Sequence, residues 1–553
     1  MRFRTLTCSA LLFVVAGLPG APQSKAVSPI PHLEKRGDLT QLIVDGKPFL
    51  ALAGELYNNS ATSLGYMNAV WPRLTSMHLN TVLAAVSWAM LEPSEGKFDY
   101  TLVDGLIREA RVHNLRLVLL WFGSWKNTWS GYAPDWVKRG FERFPRVQLR
   151  NGSGTERLTP FSQANCDADA RAFATFMRRI RVVDGEARTV IMIQVENEVG
   201  VIPDARDYSA AANAAYGKPV PGELIDYLQK HKETLNPELR AKWQASGFKA
   251  LGNWEAVFGP GLETDDLFMA WQYARYIGKV AEAGKAEYPL PMYVNAALIR
   301  PSYTPGQYNS GGPLAHSMDI WRAGGPQLDF LAPDIYFEFK NWCTEYDRPE
   351  NPLFIPEAAS GPVSAANVFY AVGQHRSFGF SPFGIDGMDG ASGGADALAR
   401  SYDILSQLAP LILENQPKGR VAGVLLEELT PAQKLRVGDY TLNVSGNGSR
   451  REPRAVSSEA FPAPPPHGIF IATGPDEIYM AGSGLTVTFS PHTPGPPIAG
   501  LATVEEGRFV DGGWVRGRTL AGDDTGQGNS ISLDAGRDPG ILRVTLYLSL
   551  IHI

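Results

Sequence analysis

Short apolar runs that end in polar residues alternate with helix-like stretches through the first 400 positions of the chain. Phe49 to Gly54, Thr81 to Val86 and Leu117 to Trp121 are the first three runs, and each has the length and apolar content of a buried strand. Between them, residues 68–78 and 99–110 carry apolar side chains at helical spacing. Strands that alternate with helices are typical of a parallel sheet or barrel.

The fourth run, residues 190–195, differs from the others because its polarity changes abruptly at its end. It continues directly into Glu196, Asn197 and Glu198. Because side chains alternate along a strand, Gln194, Glu196 and Glu198 are expected to share one face. Packing three such groups against helices would carry a large desolvation cost. We therefore predict that this face points into a barrel interior or a cleft.

Four further runs follow a mostly helical insertion at residues 201–290. They are Met292 to Val294, Phe330 to Ile335, Leu353 to Ile355 and Phe378 to Ile385. Eight strands with intervening helices predict an α/β fold, a TIM (β/α)8 barrel over residues 38–410. In such a barrel the active site lies at the C-terminal ends of the strands. The side chains expected on that rim are Glu55, Trp88, Glu198, Tyr336 and Glu357.

The pattern changes after residue 410. Long helical stretches give way to short strand-like runs separated by Gly and Pro turns. This pattern predicts that residues 411–553 form a β-rich accessory domain resembling a sandwich.

The N-terminus has the features of a secretory signal peptide over residues 1–26. Arg2 and Arg4 precede an apolar stretch, and Ser24-Lys25-Ala26 fits a small-x-small cleavage site. The stretch is too short to span a bilayer, so we predict a periplasmic or secreted protein with no membrane span after cleavage, although an uncleaved anchor stays open. Cys166 and Cys343 would remain, and the sequence leaves their pairing open.

Composition and charge exclude several function classes. The net charge of −6 comes with no basic stripe that would bind nucleic acid. The nine histidines are scattered, so no metal site is predicted, and neither a phosphate-binding loop nor a nucleophilic-serine elbow occurs. No cofactor is therefore expected. The 12 tryptophans suit a carbohydrate partner, but large cores also use tryptophan. The oligomeric state is not predicted.

Paired carboxylates remain as the candidate chemistry. Glycoside cleavage needs one protonated carboxyl group for the leaving oxygen and one carboxylate for the anomeric carbon. Glu198 after strand four and Glu357 after strand seven would meet across the barrel mouth at roughly 5 Å, the separation found in retaining enzymes. Periodicity alone leaves Glu196 an almost equal alternative to Glu198.

Three segments resemble known glycosidases. Residues 196–200 (ENEVG) are similar to the Glu-Asn-Glu-Tyr-Gly motif of β-galactosidases of glycoside hydrolase family 35. Residues 88–100 (WAMLEPSEGKFDY) resemble the segment after strand two in families 35 and 42, and residues 351–358 (NPLFIPEA) resemble the nucleophile strand of a bacterial subgroup. The resemblance extends over about residues 40–550, including the C-terminal β-rich part.

The resemblance implies roles for individual residues. It implies that Glu198 is the acid/base, that Glu357 is the nucleophile and that Asn197 donates to the sugar 2-hydroxyl. Tyr336 matches the tyrosine on strand six that orients the nucleophile. Trp88 is expected to bind substrate.

Two departures from the family pattern affect specificity. The better-known members carry a tyrosine on strand two where this chain has Ala85, and a Cys-Ala-Glu after strand three where this chain reads SWKNTW from Ser124. The sugar-reading groups therefore cannot be transferred. Lys126, Asn127 and the nearby tryptophans are local candidates only.

The carboxylate pair and the resemblance together predict a retaining, exo-acting β-galactosidase. The choice of galactose is what the resemblance alone implies, with plant cell-wall xyloglucan as a plausible source of substrate. A β-glucosidase or another β-glycanase of the same clan is the alternative within the enzymes. A barrel that binds glycan without catalysis is the alternative outside them.

Overall fold

The computed structural model describes residues 29–388, 394–428, 430–447, 464–492, 497–534 and 540–550. The predicted signal peptide, residues 1–26, lies outside these ranges and stays a prediction. Within them, every helix is too short or too polar to cross a membrane.

A three-stranded antiparallel sheet opens the described chain. Its strands are β1 (His32–Arg36), β2 (Leu39–Val44) and β3 (Lys47–Phe49). Leu42 and Val44 of β2 join the apolar cluster inside the barrel that follows, together with Val118 and Phe354. The sheet therefore contributes side chains to the packed barrel interior.

Eight parallel strands then close into a barrel, which confirms the predicted TIM-type fold. In chain order the strands of this region are β4 (Ala51–Glu55), β5 (Thr81–Ser87), β6 (Arg116–Lys126), β7 (Arg146–Gln148), β8 (Gly154–Leu158), β9 (Val190–Asn197), β10 (Met292–Ala297), β11 (Phe330–Ile335), β12 (Ile355–Ala358) and β13 (Gly379–Pro382). All except the separate β7–β8 hairpin belong to the barrel, whose neighbours run β10-β11-β12-β13-β4-β5-β6-β9 and back to β10.

Helices surround the barrel and fill the insertion after β9. They are α1 (Leu64–Ser76), α2 (Trp88–Leu91), α3 (Thr101–Val112), α4 (Asp135–Arg139), α5 (Gln163–Asp184), α6 (Ala210–Tyr216), α7 (Gly222–Lys230), α8 (Pro237–Ala245), α9 (Trp254–Phe258), α10 (Leu262–Glu287), α11 (Met318–Gly324), α12 (Phe339–Tyr346), α13 (Pro362–Gln374) and α14 (Gly394–Asn415). Five of them, α6 to α10, lie in the insertion that the sequence predicted to be helical.

Two antiparallel sheets form the C-terminal part. Their strands are β14 (Val421–Leu425), β15 (Ala432–Val437), β16 (Tyr440–Gly446), β17 (His467–Ala472), β18 (Glu477–Ser483), β19 (Leu485–Pro491), β20 (Pro497–Val510), β21 (Gly513–Leu520), β22 (Ile531–Leu533) and β23 (Ile541–Leu550). One sheet has the order β14-β17-β18-β23-β20-β21 and the other β15-β16-β19-β22. Apolar residues from both sheets pack into a second core, as in a sandwich.

The outer face of the six-stranded sheet packs on the barrel. Ile469, Ile471 and Ile541 from this sheet belong to the same apolar cluster as the helices around the barrel. A Cβ atom on Gly373 of α13 would lie only 2.7 Å from the Gly423 Cα of β14, so glycine permits this close approach. The accessory part is therefore held to the barrel by a continuous apolar contact.

Two barrel strands extend further toward the rim, at their C-terminal ends, than the sequence predicted. The seventh was expected to end at Ile355 but runs from Ile355 to Ala358, so Glu357 lies within a strand and not in a loop. The third extends from Arg116 to Lys126. Cys166 and Cys343 are both buried free thiols.

Candidate active site

The two glutamates at the end of β9 point in different directions. The expectation that Gln194, Glu196 and Glu198 share one face is wrong. Glu196 adopts a left-handed backbone conformation with φ of 64°, and Glu198 does the same with φ of 45°. These torsions break the two-residue alternation of a regular strand.

Glu196 turns outward, into the layer between the barrel and its helices. Its carboxyl group accepts hydrogen bonds from the backbone N–H groups of Ser124 (3.0 Å) and Trp125 (2.6 Å), and it pairs with Asp169 of α5. A Cβ atom on Gly123 would lie 2.5 Å from Glu196 Oε1, so only glycine leaves room for this pair. Burial and the neighbouring Asp169 raise the pKa of Glu196 well above its usual range. This environment holds a proton in a structural pair.

Glu198 faces the barrel mouth, where it meets Glu357 from β12 and Asp334 from β11. Carboxylate oxygens of these three residues lie within 4.8 Å of one another, and all three residues are buried. This separation suits a retaining glycosidase, in which the two carboxyl groups lie about 5 to 5.5 Å apart. The inverting geometry requires a wider gap that admits a water molecule.

Three donors surround the Glu357 carboxylate. Tyr336 donates its hydroxyl to Oε2 at 2.7 Å, while the side-chain amides of Asn197 and Asn295 approach Oε1 at 3.3 and 3.5 Å. Asn295 also donates to Asp334 at 2.7 Å and accepts from the Glu198 backbone N–H at 3.0 Å. Donors aimed at one carboxylate hold its orientation.

Glu198 has the opposite environment. Burial, and then the negative charge of Glu357, raise its pKa to about 7. Lys126 at the end of β6 moderates this shift; although burial lowers the pKa of its ammonium group, the charges of Glu357, Glu198 and Glu55 raise it on balance. A carboxyl group with a raised pKa can keep a proton to donate, and a neighbouring carboxylate held by hydrogen-bond donors is oriented for nucleophilic attack.

Trp88 does not lie where the sequence placed it. It is fully buried, its indole N–H donates to Glu92 at 2.8 Å, and its rings pack against Trp121 and Trp136. The chain turns into α2 immediately after Ser87, which directs this side chain into the helix layer and away from the mouth. Trp88 is therefore a packing residue and offers no face to a sugar.

Asn127 lies at the rim as expected. Its backbone N–H donates to the Asn197 carbonyl at 3.1 Å, and its side chain is exposed. Trp129, two residues on, is half exposed and carries the Arg157 guanidinium 3.8 Å from its ring centroid.

Sequence reasoning missed two members of the site and underrated a third. Asp334 lies within the predicted sixth strand, Phe330 to Ile335, and Asn295 directly follows the predicted fifth strand, but neither was assigned a role. Glu55 was placed on the rim without a role, yet it is buried beside Glu198 and Glu357. A charged residue at the end of a buried strand was the signal available for Glu55.

The cluster of Glu198, Asp334 and Glu357 is less suited to binding a metal ion than to holding a proton among its carboxyl groups. Three carboxylates at this spacing can bind a hard cation. Tyr336 and Asn295, however, already donate to Glu357 and Asp334, and Lys126 supplies a positive charge.

Comparison with protein families decides the class. Residues 66–276 match the β-galactosidase domain model of glycoside hydrolase family 42, and residues 398–532 match a domain of unknown function, DUF5597. The barrel carries a glycoside hydrolase domain. This confirms the predicted enzyme class, while the assignment to family 35 stays a prediction.

Individual relatives of this glycoside hydrolase are distant. A β-galactosidase from Xanthomonas manihotis is 28% identical over 186 residues, which cover 32% of this chain and 28% of that protein. A β-agarase A from Vibrio sp. (strain JT0107) is 25% identical over 263 residues, 44% of this chain and 24% of that one. The matched parts thus span about a quarter of these relatives. A crystal structure of β-galactosidase from Bacillus circulans sp. alkalophilus aligns with TM-score 0.45 at 14% identity, covering 66% of this chain and 57% of that one.

Proposed function

We propose that the protein is a retaining, exo-acting β-galactosidase that releases terminal β-linked galactose from oligo- or polysaccharides. The observation that carries this proposal is the pair Glu198 and Glu357. Their carboxylate oxygens lie within 4.8 Å of each other, the pKa of Glu198 is raised to about 7, and the Tyr336 hydroxyl donates a hydrogen bond to Glu357.

The reaction follows from that pair in two displacements. Glu357 attacks the anomeric carbon while Glu198 gives its proton to the departing glycosidic oxygen, which leaves a glycosyl-enzyme ester and a free alcohol. Water then attacks the same carbon from the opposite face, Glu198 takes the proton from that water, and the bond to Glu357 breaks. Two inversions restore the original β configuration.

Galactose as the terminal sugar is supported by the family 42 β-galactosidase match and by the Xanthomonas manihotis relative. The motif at residues 196–200 supports the finer assignment to family 35. Xyloglucan side chains of plant cell walls are the proposed natural source. The substrate-binding roles of Asn197, Asn127 and Tyr336 belong to this proposal.

A second candidate is another β-glycanase of the same clan, and the similarity to a β-agarase A favours it over the β-glucosidase alternative. A barrel that only binds glycan is the least favoured function, because binding alone does not require a carboxyl group with a raised pKa beside a second, hydrogen-bonded carboxylate.

We propose that the protein is exported and is located in the periplasm or outside the cell. The charged start, apolar stretch and Ala26 exit of the sequence support it. N-terminal sequencing of protein exported by the native host is expected to begin near Val27, whereas an intact Met1 on cytoplasmic protein would contradict export.

The decisive experiment is a screen of aryl β-glycosides combined with proton NMR of the first-formed sugar. We expect the β-galactoside to be cleaved fastest, with β-galactose appearing before mutarotation. An α-anomer as first product would overturn retention, and a marked preference for β-glucosides would overturn the choice of galactose. Random internal cleavage of xyloglucan would indicate the endo-acting candidate.

A further inference from the structure

Glu55, the last residue of β4, is an unpartnered buried acid. It is 1% exposed, and among the described residues neither of its side-chain oxygens has a hydrogen-bond partner. An unpartnered buried polar group costs several kcal/mol. Such a group requires an explanation, and a ligand that occupies the site is one.

The position of Glu55 in the barrel indicates which part of a ligand it meets. On one side of the mouth, Asn295 of β10 links the two glutamates: it accepts from the Glu198 backbone N–H and donates to Glu357 and to Asp334 of β11. Glu55 on β4 belongs to the other half of the ring of strands, as does Lys126 at the end of β6. If the anomeric carbon lies between the two catalytic carboxyl groups, the rest of the sugar ring extends toward Glu55 and Lys126. This step rests on the proposed function.

Glu55 and Lys126 also have complementary hydrogen-bonding capacity. Burial and the charge of Glu357 raise the pKa of Glu55 well above its usual range, which favours a neutral carboxyl group that both donates and accepts. Lys126 keeps its charge and offers donors only. Sugar hydroxyls donate and accept, so this pair can satisfy neighbouring hydroxyls that leave water.

We infer that Glu55, together with Lys126, binds the hydroxyl groups of the terminal sugar farthest from the reacting carbon, with Glu55 on the C4 hydroxyl. Galactose and glucose differ only in the direction of that hydroxyl. A site built to hydrogen-bond a hydroxyl discriminates strongly against analogues that lack it, because its own buried groups are then left unpaired. Glu55 thus takes the sugar-reading role for which this chain lacks the family's strand-two and strand-three residues.

The test combines enzyme variants with modified substrates. The kcat/KM values of the wild type, Glu55→Gln and Glu55→Ala are measured on an aryl β-D-galactoside and on its 4-deoxy analogue. The kcat/KM of the wild type is expected to be about 100-fold lower on the 4-deoxy compound, because buried Glu55 then lacks its hydrogen-bond partner. Glu55→Ala is expected to be about 100-fold slower on the galactoside but to treat the two substrates within about threefold, since the group that reads the hydroxyl is gone.

Glu55→Gln keeps the shape of the side chain and can still donate and accept hydrogen bonds. It is expected to retain the discrimination between the two substrates and to lose about tenfold or less in kcat/KM on the galactoside. Because it is nearly isosteric, it also provides the test if Glu55→Ala does not fold. A Glu55→Ala enzyme that keeps the wild-type ratio while losing activity on both substrates would overturn the inference and leave Glu55 with an electrostatic role. So would a Glu55→Gln enzyme that keeps the ratio but loses about 100-fold or more in kcat/KM on both substrates, because its hydrogen-bonding functions are retained.

Glu92→Gln is the matched control. Glu92 is buried too, but its oxygens accept hydrogen bonds from the Trp88 indole and the Gly96 backbone N–H, at 2.8 and 2.7 Å. This substitution is expected to lower thermal stability and to leave the ratio between the two substrates unchanged. A wild type that cleaves no β-galactoside at all would instead contradict the proposed function, so the two failures are distinguishable.

Discussion

Glu196 and Glu198 lie two residues apart at the end of β9, and both are buried with raised pKa values, yet they belong to different parts of the molecule. Protein groups satisfy Glu196: two backbone N–H groups and Asp169 surround its carboxyl group in the helix layer. Glu198 receives its raised pKa at the barrel mouth, beside Glu357. The comparison teaches that burial and a shifted pKa do not by themselves identify a catalytic acid; the direction of the side chain does.

Removal of Glu357, the proposed nucleophile, should give the largest effect. Glu357→Ala is expected to lower kcat/KM on a β-galactoside by at least about 10⁴-fold, because the carboxylate that would form the glycosyl-enzyme is removed. With azide and a dinitrophenyl galactoside, the space left by Glu357 should allow azide to attack, giving α-galactosyl azide as seen by NMR. A β-azide product would place the nucleophile elsewhere.

Glu198→Ala should distinguish the two glutamates of β9. We expect a loss of roughly 10² to 10⁴-fold on substrates with poor leaving groups, while formation of the glycosyl-enzyme from dinitrophenyl galactoside is largely spared, since that leaving group needs no proton. Azide should then give the β-galactosyl azide. Equal losses on both substrates would argue against an acid/base role.

The pKa of Glu198 leads to a related pH prediction. General-acid catalysis requires the protonated form, so kcat/KM of the wild type should fall tenfold per pH unit above a pH of about 7 on poor leaving groups. The rate of glycosyl-enzyme formation from the dinitrophenyl substrate, measured as the burst of released dinitrophenol, should not show this decline. A decline of the same size with both substrates would assign that ionisation to another group.

Tyr336→Phe tests the support of the nucleophile. Loss of the 2.7 Å hydrogen bond to the Glu357 carboxylate is expected to lower kcat by about 10- to 100-fold, the range for a hydrogen bond to a charged group. Tyr402→Phe is the control, because its hydroxyl donates to the Ala53 carbonyl at 2.6 Å, in the packing between α14 and the barrel strands. The control should cost stability and spare kcat; equal kcat losses would indicate a general packing effect.

Glu196→Gln should have the smallest effect on catalysis. A glutamine has one acceptor where Glu196 serves two N–H groups, so we expect about 1 to 3 kcal/mol of lost stability and kcat/KM within about threefold at temperatures where the variant is folded. Because a raised pKa makes the folded state keep a proton that the unfolded state releases, the wild type loses stability as pH rises above the ordinary carboxyl range. In denaturation measurements, the difference in free energy of unfolding between the wild type and Glu196→Gln should therefore become smaller as the pH rises. A loss of activity as large as that of Glu198→Ala would remove the distinction between the two residues.

Much of the architecture was accessible from the pattern of residues. The alternation of strands and helices predicted the barrel, and the polar residues at strand ends pointed to Glu198, Glu357 and Tyr336, which the structure brings together. The expected alternation of side chains gave the wrong direction for Glu196, because the sequence pattern does not show that this residue has a left-handed backbone conformation. Trp88 was misplaced for a similar reason, since the chain turns into a short helix at that residue.

The sequence by itself determined the repeating fold and the presence of carboxylates at the ends of strands four and seven, because hydrophobic periodicity and polarity changes are local properties of the chain. Only the tertiary structure decided which carboxyl groups meet, which have a raised pKa and which is left without a hydrogen-bond partner. Those outcomes depend on backbone torsions at single residues and on contacts between strands as distant in the chain as β4, β6, β9 and β12. Burial and electrostatic coupling arise from those contacts, and no local pattern records them.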